Sequence, residues 1–303
     1  MKRRTFLVLA SGLLCGPSSL RAEAKKGSIS LGFSLYGMKA VPLLEGIETC
    51  AKVGYQAVEL AVMPGWPADP VKLSKEDRKA IREKLASTKI DLSDLMENTP
   101  LDGDAKSHSS QLERLERALE LGQELSPEKP PIIETILGGK VDQWEQIKNQ
   151  FRDRLGDWAK LAEKTKSIIA IKPHRFGAMN RPEQALWLLE QVKSKSIRLV
   201  YDWSHYEQRD LKLDETLKAL IPSTVFVHIK DTRIVNGKAE FLLPGEGSTD
   251  YSLLLKGLVQ HGYSGCVCIE VSGMIHNQKD YDGVATATKC FTKLKPMFEK
   301  EGR

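Results

Sequence analysis

Charged and imidazole side chains end four consecutive apolar segments in the second half of the chain. In chain order, these residues are Lys172 and His174, then Asp202 and His205, then His228 and Lys230, and finally Glu270. A single charge in such a position is as often a surface charge or a structural ion pair. Four in succession favour one shared site, which is where the chemistry of this chain is predicted to lie.

Three of these residues have the chemistry of a metal site. Asp202, His228 and Glu270 supply two carboxylates and one imidazole, a donor set suited to Mn, Mg, Zn or Co. A divalent ion held there would polarise a carbonyl or neutralise an enediolate. We therefore predict a divalent metal cofactor at this position.

Other residues are candidates for ligand contacts. Glu59 ends an early apolar segment, and Trp66 and Trp203 offer rings that could stack on the apolar face of a ligand, although core packing explains Trp203 equally well. Glu134 ends another apolar segment and suits either a base or an ion pair at the rim. We assign Glu59 and Trp66, with His174, His205 and Lys230, to substrate binding.

The elements that position these residues alternate along the chain. Hydrophobic periodicity predicts strands at 28–33, 57–62, 90–96, 131–137, 167–172, 197–201, 224–229 and 265–271. It predicts helices at 41–53, 74–87, 111–125, 143–164, 182–192, 213–219, 251–261 and 279–300.

Eight strands alternating with eight helices predict a (β/α)₈ TIM barrel, in the α/β class, forming a single domain over residues 25–303. A doubly wound open sheet would carry a glycine-rich dinucleotide or phosphate loop, and the sequence has neither. In a TIM barrel the carboxyl ends of the strands share one face, so the polar strand ends converge. The polar or proline-rich stretches 64–70 and 99–110 are expected to be loops at that face.

The N-terminal residues have the pattern of an export signal. Lys2, Arg3 and Arg4 precede a short apolar run, and Ala22-Glu23-Ala24 suits cleavage. Arg3-Arg4 with Phe6 and Leu7 also suits the twin-arginine route, with an ordinary secretory signal as the alternative. We predict that residues 1–24 are a signal peptide and that the mature protein is periplasmic or extracellular.

The mature chain carries little net charge. The four basic residues and one acidic residue of residues 1–24 carry a net +3, so their removal lowers the formal charge from +5 to +2. Without a long basic run, the sequence predicts no nucleic-acid partner. No stable membrane span is expected after cleavage, and a homo-oligomer is compatible with the sequence.

Four cysteines remain in the mature chain, Cys50, Cys266, Cys268 and Cys290. Cys266 and Cys268 have strand spacing and share one face, so they are poorly placed to bond to each other. We predict buried free thiols, with a Cys50–Cys290 disulfide as the alternative that export permits.

Several motifs together resemble one family. They are Asp-x-x-His at 202–205, His-x-Lys-Asp at 228–231, Ile-Glu at 269–270, Pro-Gly-Glu-Gly at 244–247 and Gly-Tyr-Ser-Gly at 262–265. With them the chain from about Ser28 onward resembles the xylose-isomerase-like TIM barrels, the sugar phosphate isomerase and epimerase group. The resemblance implies a divalent ion held by Glu, Asp, His and Glu. The last three ligands match Asp202, His228 and Glu270, and His205 matches a residue that contacts the sugar.

Lys172 departs from the family pattern, because it stands where the resemblance implies the first glutamate. Three outcomes remain open. The metal stays, held by the other three ligands with His174 or a water; or Lys172 replaces the metal and pairs with Asp202 and Glu270; or the barrel only binds a ligand. The missing glutamate also puts in doubt an epimerisation by two carboxylates and tilts the prediction toward one-sided proton chemistry.

The resulting prediction is an exported sugar isomerase or epimerase that abstracts a proton next to a carbonyl of a sugar or keto-sugar. Glu270 is the predicted base or a ligand near it, and Lys172 an acid or oxyanion stabiliser. His205 and His174 orient hydroxyls. The alternatives are a keto-sugar lyase or dehydratase and a non-catalytic carbohydrate-binding barrel with Lys172 locked in ion pairs.

Overall fold

The computed structural model describes residues 28–302. Eight parallel strands close into a barrel in the order β1-β10-β7-β6-β5-β4-β3-β2, and two further strands, β8 and β9, form an antiparallel hairpin. The strands are β1 Ser30–Ser34, β2 Ala57–Ala61, β3 Asp91–Met96, β4 Ile132–Thr135, β5 Ile169–Ile171, β6 Ile197–Asp202, β7 Thr224–Ile229, β8 Asp231–Val235, β9 Lys238–Leu242 and β10 Cys266–Ile269. The predicted fold, a single-domain (β/α)₈ TIM barrel, is confirmed.

Helices cover the outside of the barrel. They are α1 Leu43–Val53, α2 Lys75–Thr88, α3 Ala105–Leu125, α4 Trp144–Lys164, α5 Pro182–Val192, α6 Leu213–Leu220, α7 Tyr251–Gln260, α8 Gly273–His276 and α9 Gly283–Glu301. The main core lies between these helices and the strands, with fully buried side chains such as Phe151, Leu155 and Trp158 from α4. The strands have apolar runs without alternation because both of their faces are covered.

Local sequence sets the helix ends. Ser74 forms a capping box with Asp77 at the start of α2. Gly54 ends α1 with φ 114°, a conformation that glycine adopts without steric cost. Helix α3 begins earlier than predicted, because the Asp104 side chain accepts a hydrogen bond from the backbone N–H of Ser107. The second half of the expected loop 99–110 is therefore helical.

The β8–β9 hairpin was not predicted. Its turn has positive φ at both Asn236 (50°) and Gly237 (75°), as tight hairpin turns require. Asp231 fixes the base of the hairpin to the chain that follows, accepting hydrogen bonds from the backbone of Gly247 and from the hydroxyl of Tyr251. The hairpin therefore leaves the carboxyl end of β7 and returns over the face where the predicted site lies.

The structure also bears on three other predictions. Cys50, Cys266, Cys268 and Cys290 are buried free thiols, so the alternative Cys50–Cys290 disulfide is not formed. No helix within residues 28–302 is long and apolar enough to cross a membrane. The predicted signal peptide, residues 1–24, lies outside the described residues.

Candidate active site

A cavity of about 260 Å³ opens at the carboxyl ends of the barrel strands. Its charged and polar lining comes from strand ends, and Phe241 of β9 and Met274 of α8 add apolar surface. The main lining residues are Tyr36, Glu134, Lys172, His174, Phe176, Lys230, Phe241, Glu270, Ser272 and Met274. This combination of a charged floor and apolar walls suits a small polar ligand.

Lys172 lies on the floor of the cavity, directly after β5. Its backbone N–H continues the strand ladder by donating to the carbonyl of Thr135 at 2.9 Å, and its side chain is only 3% exposed. The ammonium Nζ lies 2.8 Å from Glu134 Oε1, 2.9 Å from Glu270 Oε2 and 3.0 Å from His228 Nδ1. An ammonium has three N–H donors. Two of them go to the carboxylates, and the third faces His228 Nδ1, which accepts it when the ring is neutral.

Lys230 is the second ammonium of the site. Its Nζ donates to Asp202 Oδ2 at 2.5 Å and to Glu270 Oε2 at 2.9 Å, and it lies 5.0 Å from the ring centre of Phe241. The other oxygen of Asp202 accepts from the backbone and hydroxyl of Ser204. Among the residues that the structure describes, Lys230 thus keeps one N–H for a ligand.

His228 is held below the cavity floor. Its Nε2 lies 2.8 Å from Glu59 Oε2 and its Nδ1 lies 3.2 Å from Glu270 Oε2. Burial would lower the pKa of His228, but Glu59 and Glu270 outweigh burial and Lys172 and raise it to about 9. In the neutral ring Nδ1 accepts from Lys172, and in the charged ring both nitrogens donate to carboxylates.

Two buried carboxyl groups lie together beside His228. Glu59 also accepts a hydrogen bond from the hydroxyl of Ser34. Burial and neighbouring Glu59 raise the pKa of Asp94 well above its ordinary value. Asp94 is therefore neutral, which lets it lie beside Glu59 without a second buried negative charge.

Glu134 and Glu270 face the cavity from opposite sides of the barrel. Strands β4 and β10 are separated by three strands in either direction around the ring. Burial would raise the pKa of Glu270, but Lys172 and Lys230 hold it well below its ordinary value. Burial raises the pKa of Glu134, although Lys172 opposes this. Two carboxyls whose pKa values diverge in this way suit opposite roles in proton transfer.

His174 and His205 pack against each other with ring centres 4.2 Å apart and ring planes tilted by 53°, but only His174 lines the cavity. Burial lowers the pKa of His174 to about 3, so its ring is neutral. The backbone N–H of Phe176 donates to its Nδ1 at 3.3 Å. This contact assigns the ring proton to Nε2, which leaves an N–H to donate to a ligand hydroxyl.

The predicted site residues occupy three positions. Lys172, His174, Lys230 and Glu270 line the cavity. Asp202, His228, Glu59 and His205 lie behind or beneath them and are at most 1% exposed. Trp66 lies to one side, stacked on Tyr36 with ring centres 4.7 Å apart.

Three of the residues assigned to substrate binding are not placed to contact a sugar in the cavity. Glu59 is 0% exposed and its carboxylate is occupied by His228 and Ser34. His205 is also 0% exposed, and Trp66 is not among the residues that line the cavity but stacks on Tyr36, which is. These three residues support the walls and floor of the cavity instead of lining it.

The three predicted metal ligands do come together. Ligand atoms of Asp202, His228 and Glu270 lie within 4.8 Å of one another. However, Lys172 and Lys230 already donate to these carboxylates, and His228 has no free nitrogen lone pair in either protonation state. A ring nitrogen has one lone pair and cannot serve an ammonium and a metal together. A divalent ion therefore does not fit this arrangement of side chains.

The sequence alone did not reveal that Glu134 is buried or that Phe241 forms part of the cavity wall. Glu134 is 0% exposed, so it is not the rim ion pair that was the alternative assignment. Phe241 was missed because the predicted strands and helices leave residues 230–250 without an element. The Asn236-Gly237 pair between β-favouring residues is a hairpin signal that would have found it.

A closed parallel barrel with charged groups converging at the carboxyl ends of its strands defines the TIM-barrel class of enzymes. Within that class, the chain belongs to the xylose isomerase-like TIM barrel family, whose family model matches residues 47–292.

Curated relatives are sugar phosphate epimerases. The L-ribulose-5-phosphate 3-epimerase UlaE of Escherichia coli is 24% identical over 279 residues, which cover 87% of this chain and 94% of that protein. The enzyme of the same name from Salmonella typhi is 25% identical over 249 residues, covering 77% and 84%. These relatives are consistent with an enzyme of the isomerase and epimerase type.

Solved structures share the fold. The IOLI protein with a bound zinc atom has a TM-score of 0.73 at 21% identity, covering 90% of this chain and 99% of that one. The 3-keto-D-glucoside 4-epimerase YcjR from E. coli has a TM-score of 0.71 at 16% identity, covering 88% and 99%. At these identities the likeness extends to the fold alone.

Proposed function

We propose that this protein is a sugar isomerase or epimerase that abstracts a proton next to the carbonyl of a sugar or keto-sugar. One observation carries the proposal: Glu134 and Glu270 face a single cavity from opposite strands and are joined by the ammonium of Lys172. The names of the relatives, epimerases of ketose phosphates and keto-sugars, support the same reaction class.

Glu270 is the base that removes the proton. Its Oε2 accepts from both lysines, whereas Oε1 accepts no hydrogen bond from the residues that the structure describes. Its side chain is 12% exposed, more than those of Glu134 and Lys172. Because the lysines keep Glu270 ionised, Oε1 is ready to take a proton from a bound sugar.

Glu134 supplies the second carboxyl group. Its Oε1 accepts from Lys172, while Oε2 is buried without a partner among the described residues. A protonated Glu134 can return a proton to the face of the carbanion opposite Glu270, which inverts the carbon. Lys172 stands where the family resemblance implies the first glutamate, and Glu134 of β4 supplies a carboxyl group in its place. An epimerisation by two carboxyl groups therefore becomes feasible.

Lys230 and His174 orient the sugar. The remaining N–H of Lys230 stabilises the enediolate oxygen. It is a preorganised donor in a site of low dielectric. His174 donates to a hydroxyl from its neutral ring. Each of these steps uses groups of this chain alone, in an arrangement that the predicted divalent ion does not fit.

Two other functions are alternatives to the proposed reaction. A lyase or dehydratase acting on a keto-sugar shares the first proton abstraction and differs in its product. A non-catalytic carbohydrate-binding barrel is favoured by one observation, namely that Lys172 is locked in ion pairs. Such a barrel would bind sugars without any proton exchange.

The test is solvent deuterium exchange. The protein is incubated in D₂O with ketoses, ketose phosphates and 3-keto-sugars, and NMR follows the hydrogens next to each carbonyl. We expect exchange with at least one substrate and a loss of about 10²- to 10⁴-fold in Glu270→Gln. Glu215→Gln, at a side chain 67% exposed on α6, is the matched control.

Other outcomes decide between the candidates. A new epimer or isomer identifies the proposed reaction, and loss of water or of a substituent identifies the lyase. Sugar binding measured by calorimetry without exchange anywhere in the panel would replace the proposal with the binding barrel.

We also propose that residues 1–24 direct export to the periplasm or the medium. The support is their sequence pattern of basic residues, apolar run and small residues. Mass spectrometry of the chain recovered from the periplasm of a bacterial host would show a new N-terminus near residue 25, whereas an intact chain retained in the cytoplasm would refute export.

A further inference from the structure

We propose that Lys172 permanently supplies the positive charge that a divalent ion bound to Asp202, His228 and Glu270 would otherwise provide, so that the reaction centre works without a metal. The inference rests on the proposed function for its catalytic meaning. Its physical content, a lysine in place of an ion, is tested independently of turnover.

The contacts of Lys172 are those of a central cation. Its Nζ gathers oxygen or nitrogen atoms from β4, β7 and the end of β10, all within 3.0 Å. All three partner side chains are at least 88% buried, since their exposed fractions are 1%, 0% and 12%. Convergent buried ligands around one positive charge are the arrangement that a bound metal normally produces.

The ligand atoms are also saturated. Glu270 Oε2 accepts from both lysines at 2.9 Å, and Asp202 Oδ2 accepts from Lys230. His228 is engaged by Glu59 on one nitrogen and faces Lys172 and Glu270 with the other. An ion entering this site would have to displace both ammonium groups from these carboxylates and Lys172 from His228 Nδ1, whereas the contact between His228 Nε2 and Glu59 would be retained.

The net charge of the buried cluster also favours Lys172 over an additional divalent ion. When Glu134 is ionised, the carboxylates of Glu134, Asp202 and Glu270 carry three negative charges, and Lys230 neutralises one. Without Lys172 the cluster would hold two uncompensated negative charges, which is the charge that one divalent ion neutralises. With Lys172 one remains, and a further divalent ion would make the buried cluster positive.

The two lysines divide the tasks of a metal ion between them. Lys172 donates to Glu134 and Glu270, faces His228 with its third N–H, and so organises the carboxylates. Lys230 keeps one N–H for the substrate. A metal ion does both at once, through its protein ligands and its open coordination positions.

The experiment measures metal binding to the full mature chain. Elemental analysis of the purified protein is combined with calorimetric titration of the metal-free protein with Mn²⁺ and Zn²⁺. For the wild type we expect substoichiometric metal and no saturable binding in the micromolar range. Lys172→Glu should bind Zn²⁺ at least ~100-fold more tightly than the wild type, and adding His228→Ala should abolish that gain.

Controls keep the result interpretable. Lys212→Glu changes the same charge at a side chain 80% exposed and should leave metal binding as in the wild type. If Lys172→Glu does not fold, the wild-type titration still decides. Stoichiometric, saturable binding to the wild type that His228→Ala removes would overturn the proposal.

Failure of this inference and failure of the proposed function give different results. Deuterium exchange together with stoichiometric metal in the wild type refutes the lysine replacement and leaves the sugar chemistry standing. Absence of exchange together with a metal-free wild type refutes the sugar chemistry and leaves Lys172 as the cation of a binding site.

Discussion

A buried lysine persists only where its charge is compensated. Moving an ammonium out of water costs several kcal/mol unless ion pairs and hydrogen bonds replace the lost solvation. Burial would therefore lower the pKa of Lys172, but Glu134, Glu270 and Asp202 raise it well above its ordinary value. Lys172 thus remains charged at neutral pH, and the carboxylates around it depend on that charge.

Glu134→Gln separates proton abstraction from proton return. The amide keeps an oxygen to accept from Lys172 but cannot donate an acidic proton. We expect deuterium exchange by Glu270 to continue while epimer formation falls by about 100-fold. The two rates are measured in one NMR experiment in D₂O. Equal loss of both would show that Glu134 acts on the geometry of Lys172 and not as the second acid.

At the scale of elements, the sequence predicts the barrel well because its strands are buried on both faces. Apolar runs of this kind are bounded by glycines and caps, and Pro182–Val192 and Thr224–Ile229 have the predicted bounds. The predicted start of α3 was wrong because Asp104 caps a first turn that has no apolar periodicity. Local capping and turn chemistry were the signals that periodicity overlooked.

The direction of the site side chains could not be predicted from the sequence. The strand-end rule brought Lys172 and His174 to the cavity, but it does not say which of them reaches the centre. That choice depends on the backbone N–H of Lys172 joining the ladder to β4. Glu134 and Lys172 come together from neighbouring strands, and the sequence of either strand alone does not predict this contact.

Glu97 at the end of β3 ties the barrel to α3 through Arg114 and gives a pH dependence of stability. Burial raises the pKa of Glu97 to about 7, although Arg114 opposes it. The folded protein therefore holds this proton more tightly than the unfolded chain. The stabilisation is complete below about pH 4.5 and is lost as the pH rises through about 7.

We predict that Glu97→Gln flattens this part of the stability profile. The wild type should lose about 3 kcal/mol between about pH 4.5 and about pH 8 from this group alone, and the variant should lose correspondingly less. Urea unfolding across this pH range measures the difference. Parallel profiles for the two proteins would assign the pH dependence to other groups.

At the scale of the whole molecule, ring closure brings distant parts of the chain into one site. Glu59 and His228 are 169 residues apart in sequence and lie 2.8 Å apart in space. The ladder between β1 and β10 closes the ring, and the backbone of Ile29 donates to the carbonyl of Gly302. The site therefore depends on the complete barrel and is expected to be lost cooperatively with it.

The stability of that barrel should not depend on disulfides. Burial raises the pKa of the Cys290 thiol to about 12, and all four described thiols are free and buried. We expect the Tm of the mature protein to be the same with and without dithiothreitol, and the thiols to react with Ellman's reagent only after denaturation. A Tm that falls in reductant would reveal a disulfide.

The pairing of Lys172 with Glu134 also constrains how such a site can change through evolution. A charge supplied by a side chain is inherited with the gene, whereas an ion must be acquired from the surroundings after synthesis. Exchanging one source for the other alters the charge at position 172 and leaves Glu134 without its partner. Substitutions at these two positions should therefore show strong epistasis, and a lineage passing between the two forms would need both changes or an intermediate that tolerates a half-compensated cavity.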